Sequence, residues 1–120
     1  MILKSKKLVA IEKLNTDIRL IHLTIEQLNK DLSIAGFEII FSGNKSSALV
    51  EILKQLENCI HKILKDKISI LQTWMYRVDI PENIFKQVIN SDNPESRLAK
   101  AILERTFIKV MFKINSKKNL

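Results

Sequence analysis

His22, His61 and Cys59 are the only histidines and the only cysteine in a chain of 120 residues, so any imidazole or thiol chemistry rests on them. Glu26 follows His22 by four residues, and Glu57 precedes His61 by four. In a helical hairpin centred near residues 41–42, His22 would face His61 and Glu26 would face Glu57. Two imidazoles and two carboxylates form a ligand set for a divalent transition metal. The apolar phase of the flanking helices argues against it, because it turns Glu26 and His61 away from the seam. The glutamate-x-x-histidine spacing of di-metal bundles is also missing. Solvated His–Glu pairs one helical turn apart are the expected arrangement, and neither a metal nor another cofactor is predicted. Cys59 reads as a small buried hydrophobe with no evident base beside it. The chain carries no phosphate-binding glycine loop, nucleophile elbow or zinc-protease helix, and its two glycines leave few places for one. The expectation is a non-catalytic protein.

A second set of residues concerns binding. Arg105, Lys109 and Lys113 recur every four residues and form a basic ridge that Arg97 and Lys117 loosely extend. Leu98, Ile102, Ile108 and Phe112 fall on the same side of that helix. A basic ridge carrying large apolar side chains fits three roles: a second buried contact with snorkelling cations, an interface with a protein, or a face for nucleic acid or anionic membrane. The candidate binding residues are Arg97, Arg105, Ile108, Lys109, Phe112, Lys113 and Lys117. A DNA-reading helix-turn-helix is disfavoured, since Asp92 and Glu95 would stand against phosphate and no glycine occupies the turn.

The elements that must position these residues follow from apolar spacing. Ile11, Leu14, Ile18, Ile21, Ile25, Leu28 and Leu32 alternate at three and four, which predicts a helix A over about 5–35, stopped by Gly36. Residues 37–41 are aromatic and β-branched, and suit either a short strand or a hydrophobic loop. Ser46 or Ser47 is expected to cap a helix B whose seam runs from Leu49 to Trp74 and is interrupted at Lys67. Beyond it a neighbouring row, Leu64, Ile68, Leu71, Met75 and Val78, widens the stripe. Asp79-Ile-Pro-Glu82 and Asp92-Asn-Pro-Glu95 both resemble capping boxes, and predict a helix C over about 81–90 and a helix D over about 94–114. The core face of helix D is Ala99, Leu103, Phe107, Val110 and Ile114. The sum is an all-α antiparallel bundle of two long helices plus one short and one medium helix.

Length and composition agree. A chain this long forms one domain, here 1–120 with 115–120 expected as a frayed basic tail, and needs no disulfide to hold a core. The net charge of +7 is uneven: residues 1–13 carry +3, residues 97–120 carry +6, and the body between them carries −2. The first residues lack the apolar run of a secretory signal, and no charge-free stretch approaches a membrane span. With one cysteine, a reduced cytoplasmic setting is expected. These readings converge on a small cytoplasmic helical-bundle interaction protein that self-associates or binds a protein partner. The alternative is a nucleic-acid- or ribosome-associated protein using the C-terminal helix and the N-terminal lysines.

Overall fold

Asp17 opens the first regular helix. Its extended backbone and its carboxylate, which accepts from the Arg19 N–H at 2.9 Å, restart the chain after a 3-10 turn at Lys13–Thr16. The restart shifts the helical phase, so Leu20 is buried while Ile18, predicted in the seam, is exposed. The computed structural model describes residue 11 and residues 13–118, without the side chains of 117 and 118. Helix α1 is therefore Ile18–Leu32, and the part of helix A expected before residue 11 lies outside the described residues. A 3-10 turn at Ser33–Ala35 tightens its end, and Gly36 closes it at φ 76°, a left-handed conformation that glycine adopts without steric cost.

Helix B is broken where its seam is interrupted. Lys67 leaves helical geometry at φ −150° and ψ 85°, dividing the element into α2, Ala48–Asp66, and α3, Ile68–Val78. After the break the neighbouring row supplies buried Leu71, Met75 and Val78 beside Trp74 of the first seam, while Ile68 of that row is exposed. The start of α2 also departs from expectation. Asn44 caps a 3-10 turn at Lys45–Ser47 by accepting from the Ser46 N–H, whereas the Ser47 hydroxyl donates to Glu51 instead of capping.

The two predicted capping boxes do not form as drawn. Asp79 has φ 64° and closes the C-terminus of α3, so α4, Glu82–Ile89, begins at Pro81 without a side-chain cap. Glu82 pairs forward with Lys86 at 3.3 Å, one turn along. Helix α5, Pro94–Lys118, follows Asn93 at φ 55°, and Glu95 turns away to His61. At 25 residues α5 is the longest helix in the described chain and passes the limit of 114 set by its apolar pattern.

The all-α fold is as the periodicity predicts: five α-helices and no strand among the described residues. Helix α5 packs against each of the other four, and it, not α2, is the main helical neighbour of α1. Leu98, Ala99, Ile102, Leu103, Thr106, Phe107 and Val110 are all buried, about half of the helix circumference. Large side chains shut off from solvent, Trp74 and Phe107 among them, each contribute about 1.5–3 kcal/mol of transfer free energy.

Residues 37–41 form no strand; they run as an extended loop held by side-chain amides. Asn29 of α1 accepts from the Ile39 N–H at 2.7 Å and donates to the Ile39 carbonyl at 3.1 Å. Gln55 of α2 does the same for Ile40, both bonds at 2.8 Å. Asn15 likewise joins the Leu49 N–H and the Ser46 carbonyl. The Asn29 and Gln55 carboxamides thus stand in for the backbone ladder that a strand would supply, while Asn15 pins the start of α2.

The loop ends on Glu51, whose carboxylate accepts from the Ser42 hydroxyl at 2.7 Å, the Ser42 N–H at 3.0 Å and the Ser47 hydroxyl. The Ser42 hydroxyl first, then those of Ser47 and the Ser42 amide, hold its pKa below the ordinary 4.5. A carboxyl depressed in the folded state stabilises it above the unfolded pKa and loses that contribution as pH falls through the folded one. Thermal unfolding between pH 6 and pH 3 is expected to show less acid destabilisation in Glu51→Gln than in the parent; parallel curves would contradict this.

Candidate interaction surface

Ala101, Arg105, Ile108 and Phe112 recur at spacings of four, three and four, which places them in one row along α5. The row lies on the side away from the buried residues. Phe112 is 75% exposed, Arg105 is exposed, and Ala101 and Ile108 are half-buried. Arg97 extends the row toward the N-terminus, with Glu104 and Met111 along its edge, both half-buried. Neither Arg97 nor Arg105 is ion-paired among the described residues. A row in which Arg105 stands among Ala101, Ile108 and Phe112, with Arg97 at one end, can exclude water around its apolar members and accept carboxylates at its guanidiniums.

The basic ridge does not survive as one face. Lys109 bends into the bundle, where its Nζ donates to the Arg77 carbonyl at 3.0 Å and lies 3.7 Å from Asp79 Oδ2. Its side chain is only 22% exposed. It therefore satisfies a carbonyl at the end of α3 and sets a positive charge against the negative end of that helix dipole. Lys109→Met is expected to cost about 1 kcal/mol, read as a lowered denaturant midpoint at unchanged slope. An unchanged midpoint would show the cap to be idle. Lys113 donates to Gln27 Oε1 at 2.7 Å, and the Gln27 amide donates in turn to the buried Asp31 at 3.3 Å. Lys117 belongs to α5, but its side chain lies outside the described residues, as do the N-terminal lysines Lys4, Lys6 and Lys7.

The apolar residues divide in the same way. Leu98 and Ile102 are fully buried, so the second-buried-contact reading holds for the first half of α5. It fails for Phe112. Of the seven candidates, Arg97, Arg105, Ile108 and Phe112 share the outward row, joined by Ala101 and Met111, which residue type alone did not single out. The signal available for Ala101 was its position four residues before Arg105.

The histidines go elsewhere. His22 meets the edge of the Phe41 ring, centroids 5.7 Å apart and planes at 74°. His61 Nδ1 lies 3.0 Å from Glu95 Oε2, tying α2 to the first turn of α5. That hydrogen bond first, then the backbone N–H of Glu95 itself, lowers the Glu95 pKa below 4.5. The set His22, Glu26, Glu57 and His61 is not gathered, and among the described residues no three metal-ligand side chains cluster. Cys59 is buried; desolvation pushes its thiol pKa above the ordinary 9.0 against a smaller opposing pull from Lys62, so it stays protonated at neutral pH.

Two shallow hollows among the described residues include no residue of the row. One, of ≈ 250 Å³, lies between α1 and α5 and is lined by Leu23, Gln27, Val110 and Ile114. The other, of ≈ 300 Å³, lies between α3 and α4 beneath Tyr76. Comparison of the chain with protein-family models, curated proteins and solved structures found no match. The surface must speak for itself. Among the described residues, no helix is long and apolar enough to cross a membrane.

Proposed function

We propose that this chain is a non-catalytic helical module that docks a protein partner, a second copy or another chain, through the outward row of α5. The observation that carries the reading is Phe112: a large aromatic ring, 75% exposed, aligned with Ile108 and Ala101 on a helix whose other large apolar side chains are mostly buried. Exposed aromatic and arginine side chains in one patch are the usual anchors of protein interfaces. Support for protein over nucleic acid comes from Lys109 and Lys113, whose ammonium groups are engaged in hydrogen bonds to Arg77 and Gln27 of the same chain, leaving the row mixed and not purely basic. The module as read needs no cofactor, and its single, buried cysteine is consistent with a reducing cytoplasm.

A benzophenone amino acid placed at position 112 tests the reading in living cells. Irradiation is expected to give discrete protein adducts that resist nuclease and disappear when the probe is moved to buried Ile102. Nuclease-sensitive adducts, or none, would overturn it.

A further inference from the structure

The row on α5 is specific about charge as well as shape, and we infer that its occupant is an acidic amphipathic helix laid along Ala101, Arg105, Ile108 and Phe112. The inference rests on the docking reading above and names the partner's chemistry. Spacings of four, three and four average about 3.7 residues, close to one helical turn, so the four side chains stay on one face over three turns, as a contact with a second helix requires. A flat or β-edged partner would have no use for that period. Ala101 leaves a hole opposite a large side chain, whereas Phe112 supplies a knob of its own.

Charge selects among helical partners. The outward side of α5 carries Arg97, Lys100 and Arg105 against Glu104, and the two arginines have no carboxylate partner among the described residues. Arginine prefers paired, in-plane acceptors and gains most when a carboxylate meets it at a partly dried margin. A second copy of this chain brings the same excess of cations to the contact. In a parallel α5 pair Arg105 would stack on Arg105, and the whole molecules, each at +7, repel on approach. A helix with leucine-like residues on one stripe and glutamate or aspartate beside it meets both requirements at once. Arg97 and Arg105 lie eight residues apart, about 12 Å along the axis, so the matching acids should stand seven or eight residues apart.

Two synthetic probe helices of about four heptads, with leucine at the a and d positions, decide the matter. One carries glutamate at e and g, the other lysine. Titrated against the full chain in physiological salt, the glutamate probe is expected to bind at least about tenfold more tightly than the lysine probe. Phe112→Ala should weaken it by about tenfold. The Arg97→Glu/Arg105→Glu variant should reverse the preference while its circular dichroism stays unchanged. Equal binding of both probes, binding of neither, or a preference untouched by the charge reversal would overturn the inference. So would a dimer in sedimentation velocity that Phe112→Ala abolishes, since it would make the occupant a second copy. Protein adducts from position 112 alongside a failed glutamate probe would leave docking standing and remove only the acidic helix. Without protein adducts, both fall.

Discussion

Phe107→Ala is expected to remove about 3–5 kcal/mol of folding free energy, a large share of the about 5–15 kcal/mol that a domain of this size holds. Phe107 is 1% exposed and sits mid-way along the helix that touches all four others. A close-packed interior relaxes only partly around a deleted ring. The loss therefore combines the transfer free energy of the ring with an unrelieved cavity. Urea unfolding followed by circular dichroism measures it, with Val50→Ala as a control, since Val50 is exposed and its truncation should change little. A loss under about 1.5 kcal/mol for Phe107→Ala would mean that α5 is not the centre of the core.

Asn29→Ala is the second large effect. The carboxamide gives both of its functions to Ile39, whose side chain is 2% exposed. Truncation leaves a partly buried N–H and carbonyl without partners, which costs about 1–3 kcal/mol. The effect is local as well as global. Amide exchange at Ile39 is expected to rise well beyond that in the helices, and Gln55→Ala should do the same at Ile40. Asn29→Asp keeps the acceptor for the Ile39 N–H but sets a carboxylate against the Ile39 carbonyl, so it should rescue exchange protection at most in part. Equal exchange in Asn29→Ala and the parent would show that the loop is held by Ile39 packing alone.

Much of the fold was legible because helical burial repeats. The apolar row of α1, the stop at Gly36, the weak point at Lys67 and the start of α5 at Pro94 all lie in the sequence as spacing or as residue type. The loop clamps were not legible, because a carboxamide that bonds a backbone 10 or 15 residues away has no local signature. Asp79 misled for a related reason: an aspartate before Ile-Pro-Glu suits a cap on the next helix, and it went instead to the left-handed close of the previous one. The outward row was half legible. Phe112 and Arg105 stand out by type, but α5 is apolar around most of its circumference, so period alone could not say which side the other four helices would cover. Leu98 and Phe112 belong to the same side on paper, and one is buried and the other bare.

The helix that completes the core is also the last of the described helices in chain order. During synthesis, at about 5–20 residues per second, α1 to α4 emerge with their apolar faces only partly matched by one another and wait for α5 before the core can close. Contacts such as Gln27 with Lys113 join residues 86 apart, so the closing step pays a long-loop entropy that early local pairing cannot offset. The vulnerable period for this protein is thus on the ribosome. A ribosome stalled before Pro94 should present a chaperone-binding, protease-sensitive nascent chain, and one carrying the 120 residues on an added linker that clears the exit tunnel a resistant one.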